Sequence, residues 1–351
     1  MHPNTNRALM YVQANRVVEM LVTIEPQYRM MISLGTSSDS DAACLAIIED
    51  IKAKLPLSIE TGFGPQARRI TFENALAKIS ERLEHKYHAY SIFFSLLKQE
   101  IRAYNELLEL VHVTCADLRR AVLGETVVSE VLEETQRTLL MHEMPRIWRK
   151  RSYPSTKSLR AWISDHLLRI AFFKDWTRLI VTYVEDYKTL SPLPPTFNIG
   201  AFYYPKGLFS AILQSSARSI ALPIDQLKFS YEVLDQKEER LALQSSTASF
   251  EYYLSFANGA QWDYELHQIV DCTSQQRTHR LPPLLCKLVP KDTDNLDSTN
   301  VYECPVYLTA SRAVSASQAS KHLVGTVAIP CSETESFWTT RSIAGILEID
   351  E

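Results

Sequence analysis

Apolar positions in the first two thirds of the chain recur by threes and fours, whereas those in the last third alternate. After the polar cluster Gly35 to Asp41, which offers several N-cap residues, Leu45, Ile48, Ile51 and Leu55 keep helical spacing until Pro56 stops the run. A loop marked by Gly62, Gly64 and Pro65 follows. From Arg68 to Leu123 there is no proline or glycine. Through it Leu76, Ile79, Leu83, Tyr87, Tyr90, Phe94, Leu97, Ile101, Tyr104, Leu108 and Val111 form one apolar stripe. That pattern fits a single long helix, or two helices broken near His85 to Ser91. Its period also suits a coiled coil, but its breadth and aromatic content favour packing inside a globular bundle.

Gly124 ends the stripe, and an amphipathic segment from Val127 to Leu140 runs into Met144 and Pro145. A further helix is predicted after Tyr153, Pro154 and Ser155, with Ser155 as its cap and Leu159, Trp162, Ile163, Leu167 and Ile170 on one face. Prolines between Ser191 and Pro195 form a rigid break, and one more helix is predicted over Lys206 to Ile220, ending before Pro223.

At Leu227 the period changes. Leu227, Phe229, Tyr231 and Val233 face one way while Lys228, Ser230 and Glu232 face the other, which is strand chemistry. The alternation returns at Phe250, Tyr252, Leu254 and Phe256, at Leu284, Cys286 and Leu288, and around Val306 to Leu308. It appears again at Leu323, Gly325, Val327 and Ile329, and at Ile343, Gly345, Leu347 and Ile349. Asn258-Gly259 predicts a tight hairpin turn, because both positions tolerate positive φ. Residues from about 241 onward are expected to form a small antiparallel sheet or barrel, interrupted by a mobile surface loop at 291–300.

The chain has 351 residues, enough for two or three packed subdomains, with 46% hydrophobic and 22% charged residues as in a folded globular protein. A net charge of -4 gives no general attraction to nucleic acid or anionic lipid. The local basic run Arg146, Arg149, Lys150 and Arg151 reads as a solvated helix end, where cations suit the helix dipole. Six cysteines, Cys44, Cys115, Cys272, Cys286, Cys304 and Cys331, show no CxxC pair, so they read as reduced, packed thiols and not as a zinc site. No stretch reaches about 18 consecutive apolar residues, and the first residues lack a signal-peptide layout. The expectation is a chain neither secreted nor membrane-spanning.

Each class of chemistry needs its own motif. Nucleotide hydrolysis needs a glycine-rich phosphate cradle with an adjacent Lys and Ser/Thr, and nine glycines form no GxxxxGK or GxGxxG run. There is no GxSxG elbow and no HExxH. His142-Glu143 and Asp165-His166 are adjacent pairs on predicted helices, read as surface or core-edge residues. Glu133-Glu134 and Glu238-Glu239 read as solvated faces. Trp148, Trp162, Trp176, Trp262 and Trp338 read as core. No catalytic, cofactor-binding or metal residue is assigned.

The ordered landmarks resemble the C-terminal end of dynein heavy chains. MHPNTN at the start is similar to a His-Pro-Asn stretch late in the sixth AAA+ module, and Asp117 to Glu133 resembles the helical segment before the C-terminal domain. Pro145 to Asp165 and Gly200 to Asp225 are stronger matches, followed by Asn258 to Asp263, Tyr302 to Arg312 and Phe337 to Asp350. Departures are Asn198 where the family often has tryptophan, Lys206 for glutamine, Gln261 for arginine, and a longer Thr177 to Pro194. SYPSTK, residues 152–157, is more similar to axonemal than to cytoplasmic heavy chains.

The resemblance implies an α+β fold: a helical bundle followed by a small antiparallel β-barrel. It implies a helical subdomain over 1–140 closing the sixth AAA+ module, a helical part of the C-terminal domain over 141–240, and a β-barrel part over 241–351. It also implies a non-catalytic part of a minus-end-directed microtubule motor, with ATP and Mg bound by upstream AAA+ modules. Its implied partners are those modules, dynein intermediate and light chains, and microtubules, with no nucleic acid and no membrane. The implied location is the cytoplasm and cytoskeleton, in the ciliary axoneme. The alternative is a stand-alone helical adaptor that uses the Leu76 to Val111 stripe as a coiled coil.

Overall fold

The computed structural model describes residues 37–59, 62–63, 70–71, 74–75, 77–78, 81, 84–185, 192–194, 197–233, 250–252, 255–257, 260–271, 278–281, 284–291, 301–308, 323–341 and 343–347. Helix α1, Ser37–Lys54, ends short of Pro56, and Cys44, Ile48, Ile51 and Leu55 are its buried face. Helix α2, Glu84–Val122, runs unbroken through His85 to Ser91 for 39 residues, about 58 Å at 1.5 Å per residue. The one-helix form of the stripe is therefore the right one over this range.

Helix α3, Glu130–Leu140, starts where the Ser129 hydroxyl accepts the N–H of Leu132, three residues later than the apolar pattern suggests. Helix α4, Arg146–Arg151, is a separate short helix whose last turn carries Arg149, Lys150 and Arg151. Helix α5, Leu159–Glu185, is not capped by Ser155. The Ser155 hydroxyl accepts the N–H of Lys157 and closes a turn ahead of the helix, while the Trp162 N–H donates to the carbonyl of Ser158. A 3-10 turn, Ile199–Ala201, leads into α6, Pro205–Ile220. Pro205 opens that helix, and left-handed Ala221 (φ 54°) ends it before Pro223.

The stripe on α2 is consumed inside the chain. Phe94, Leu97, Ile101, Tyr104, Leu108 and Val111 are all buried, in one core with residues of α1, α5 and α6. A coiled-coil adaptor would need that face free. Gly207 lets α6 come close: a Cβ there would sit 3.1 Å from Leu96 Cδ1 on α2.

The strands are β1 (Gly62–Phe63), β2 (Ile70–Thr71), β3 (Leu227–Val233), β4 (Phe250–Tyr252), β5 (Ser255–Ala257) and β6 (Ala260–Asp263). They continue with β7 (Gln268–Asp271), β8 (Thr278–Arg280), β9 (Leu284–Pro290), β10 (Val301–Tyr307), β11 (Leu323–Pro330) and β12 (Gly345–Ile346). A short helix α7, Glu335–Thr340, buries Trp338 between β11 and β12.

The expected barrel does not form. Among the described residues the strands make open sheets: five strands in order β11-β10-β12-β5-β8, three in order β3-β9-β4, and the pairs β1-β2 and β6-β7. Closure needs one continuous hydrogen-bonded circuit. Here β12 is two residues long, and it runs parallel to β10 rather than antiparallel. Pro305 has no N–H to give, and β12 meets β10 just beyond it, at Val306 and Tyr307.

Asn258-Gly259 lies outside the described residues. On either side of it, β5 is flanked by β12 and β8, and β6 pairs with β7. The loop expected at 291–300 lies, after Lys291, outside the described residues, as do Leu254 and Ile349. Ile343 to Leu347 does not alternate, since all five residues are buried. The sheet region starts at Leu227, where β3 pairs in register with β9. Among the described residues no helix is long and apolar enough to cross a membrane.

Helical and sheet regions meet at Gly200. A Cβ placed there would run into the Leu347 carbonyl oxygen, backbone against backbone. Gly200→Ala is therefore expected to lower stability by about 1–3 kcal/mol. Gly325→Ala, which meets nothing within 4 Å, should be close to neutral. Thermal unfolding of both variants checks the pair.

Candidate functional site

Among the described residues the densest polar chemistry is buried where α2, α5 and the entry to α6 converge. Asp165 and Arg169 are four residues apart on α5, so they share a face and pair directly, Nε to Oδ2 at 2.7 Å. Lys157 Nζ donates to the other carboxylate oxygen at 3.1 Å. Arg169 Nη1 donates to the Gly200 carbonyl, and its guanidinium lies 3.8 Å from the Tyr153 ring centroid. Opposite, Glu100 of α2 accepts the N–H groups of Tyr203 and Tyr204 at 2.8 and 3.1 Å. The Tyr104 hydroxyl donates to the Ala201 carbonyl at 2.5 Å.

His166 completes the cluster with both ring nitrogens lacking a hydrogen-bond partner. It stacks on Trp162 (5.0 Å), Tyr104 (5.3 Å) and Tyr153 (5.9 Å). Burial, with the positive charge of Arg169, lowers its pKa to about 3, so the ring is a neutral aromatic spacer. Burial pushes the Glu100 carboxyl up to about 7, against the pull of the two N–H groups and of Arg169.

A second feature is a surface groove of about 440 Å³ lined by Glu134, Thr138, Glu143, Met144, Arg146, Arg149 and Lys150. It carries both signs of charge.

Asp165 and His166, expected at the surface or core edge, are fully buried instead. The apolar face of α5 is wide enough to enclose them once α2 packs on it. His142 and Glu143 are exposed in the turn after α3 and not on a helix, with His142 left-handed at φ 56°. Glu133 is exposed, Glu134 lines the groove, and Glu238-Glu239 lies outside the described residues. The basic run is exposed on α4, as expected of a solvated helix end. All five tryptophans are buried. Cys44, Cys115, Cys286, Cys304 and Cys331 are buried and free, and Cys272 lies outside the described residues. Burial pushes the Cys44 thiol up to about 11 and Cys115 and Cys304 up to about 12, far from a reactive thiolate. Among the described residues no three His, Cys, Asp or Glu side chains gather as a metal site.

Sequence reasoning missed Glu100, Lys157, Arg169 and the tyrosines. The signal for Glu100 was its place on the apolar stripe, between Leu97, Ile101 and Tyr104. For Arg169 it was the four-residue spacing from Asp165 on an apolar face.

The arrangement binds side chains to the backbone that leads into α6. It positions the 199–204 segment, and comparison with known proteins says in which family. The family model for the C-terminal domain of dynein heavy chains matches residues 11–347. The protein belongs to this family. The match embraces the Glu100 and Arg169 cluster as well as the Gly200 to Leu347 contact. Human dynein axonemal heavy chain 14 is 24% identical over 412 residues, covering 100% of this chain and 12% of that protein. Mouse dynein axonemal heavy chain 1 is 30% identical over 258 residues, 73% of this chain and 6% of that protein. Human dynein axonemal heavy chain 17 is 26% identical over 349 residues, 99% of this chain and 7% of that protein. The sequence thus spans 6 to 12% of the length of these dynein heavy chains.

The two buried titrations oppose each other. An unfolded glutamate releases its proton near 4.5 and folded Glu100 near 7, so its contribution is full below 4.5 and is lost as pH rises to 7. Unfolded histidine takes a proton near 6.5 and folded His166 only near 3, so its contribution is present above 6.5 and is lost as pH falls to 3. Between 4.5 and 6.5 the two cancel. Glu100→Gln should unmask His166, with stability falling by up to about 1.4 kcal/mol per pH unit on acidification through that window. His166→Phe should give the opposite slope. Urea midpoints at three pH values check both.

Asp165→Asn should cost about 3–5 kcal/mol, because it leaves the buried Arg169 charge uncompensated. A double variant with Arg169→Met should recover part of that loss, read by equilibrium unfolding.

Proposed function

We propose that this protein is the non-catalytic C-terminal region of a dynein heavy chain, part of an ATP-driven, minus-end-directed microtubule motor of the ciliary axoneme. The family match over residues 11–347 carries this reading. The similarity to axonemal heavy chains supports the ciliary assignment. In it, residues 1–140 close the sixth AAA+ module, the C-terminal domain's helical part runs from 141 through α6, and its β part begins with β3 at Leu227. ATP and Mg are bound by other modules of the motor, and intermediate and light chains and microtubules are partners of the whole complex. The region packs on the AAA+ ring and biases the equilibrium between ring conformations without taking part in hydrolysis.

A surface suited to such packing supports the reading. At the corner between α2 and α3, Leu123, Val127, Val128 and Val131 are exposed, Val127 at 92%. Clustered apolar side chains of this kind mark contact sites.

The test is reconstitution. Added to a dynein motor truncated before this region, the protein should associate and change its microtubule gliding speed, while by itself it shows no ATP turnover. Turnover by the isolated protein would sink the reading. Val127→Asp with Val131→Asp should weaken association at an unchanged melting temperature, since both side chains are already in solvent. Association that ignores the double change would remove this corner from the interface.

A further inference from the structure

The first N–H groups of a helix have no partner within it and must find one elsewhere. For α6 that partner comes from another helix. The two oxygens of Glu100, a residue with no exposed surface, receive the N–H groups of Tyr203 and Tyr204, the two residues that lead into Pro205. The carboxylate itself is covered, while the backbone that it holds lies at the edge of the core. We propose that Glu100 is a proton-operated latch at the foot of α6: ionised, it clamps the Tyr203–Tyr204 backbone to α2, and protonated, it lets that backbone loosen.

The chemistry follows from what a carboxyl can accept. An ionised carboxylate takes an N–H on each oxygen. A protonated one has a hydroxyl facing one of those N–H groups, so one bond is lost and the other drops to a weaker neutral bond. The groups that act on Glu100 are Arg169 on α5 and Tyr104 on α2, with Tyr203 and Tyr204 on the clamped segment, and next to Arg169 and Tyr104 lie Asp165, His166 and Tyr153. Asp165 is held by Lys157 and Arg169. Burial keeps His166 neutral and raises the Tyr104, Tyr153 and Tyr203 hydroxyls above their ordinary value. Burial also brings Glu100 itself to about 7 while the two N–H bonds pull it down, so releasing that backbone with Glu100 still covered by its helices strengthens its hold on the proton, and acid favours the released form.

The latch reaches the sheet region through α6. Phe209 on that helix meets Phe229 of β3 edge to face at 5.5 Å. Loosening the foot of α6 therefore relaxes a contact between the helical and sheet regions.

Hydrogen exchange of the 351-residue protein, with intrinsic rates corrected for pH, tests the latch at pH 8 and pH 6. The expected result is an about tenfold fall in protection of the 202–208 segment at the lower pH, since charge-assisted bonds are roughly twice as strong as neutral ones. α1 serves as the reference and should not change. Glu100→Gln replaces one acceptor oxygen with a donor and mimics the protonated form, so its segment should be weakly protected at both pH values. Equal protection of the wild type at the two pH values overturns the proposal, as does a wild-type pH response in Glu100→Gln. If that variant does not fold, carbon-13 titration of the Glu100 carboxyl in the wild type decides. A midpoint near 7 supports the latch, and one near 4.5 overturns it.

Discussion

The Arg169 guanidinium, held by Asp165 on the same helix, organises the polypeptide between α5 and α6. Its reach to the Gly200 carbonyl fixes a segment that has no regular structure of its own beyond one 3-10 turn. Glu100 and Tyr104 grip the same segment from α2. Three charges, one hydroxyl and four backbone groups thus satisfy one another at the centre of an apolar core. Removing Asp165 leaves the buried Arg169 without its ion-pair partner, and that is costly at low dielectric.

From this fixed segment the arrangement spreads in two directions. Gly200 lies against the Leu347 carbonyl, so the polypeptide just after β12 of the five-stranded sheet takes its place from the same point. Tyr203 and Tyr204 set the start of α6, which lies close to α2 at Gly207 and touches β3 through Phe209. The helical and sheet regions thus share backbone contacts at a buried seam.

Several elements were legible from spacing alone. Helical periodicity located α1, α2 and α6, because an apolar stripe at that spacing can be buried only as a helix. Alternation located β3, β9 and β11 for the corresponding reason. Boundaries failed where a side-chain hydroxyl outranked the pattern: Ser129 delayed α3, and Ser155 closed its own turn and left the start of α5 to Ser158. The barrel failed because strand sequences carry face, not neighbour. Nothing in Gly345-Ile346 says that its partner is parallel β10. The buried cluster failed because Asp165 and His166 were judged by residue type and Glu100 was passed over, whereas their burial follows from which helix covers them.

By itself the sequence determined the order of helices and strands, the lack of phosphate-loop and nucleophile motifs, and a resemblance that the comparisons bore out. Those follow from local spacing and from ordered landmarks, which need no knowledge of what packs on what. Tertiary structure alone decided that the α2 stripe is buried within the protein, that the sheets stay open, and that a glutamate on that stripe clamps a distant helix. Glu100 and Tyr203 are 103 positions apart, and an interaction over that separation exists only once α2 and α6 are packed together.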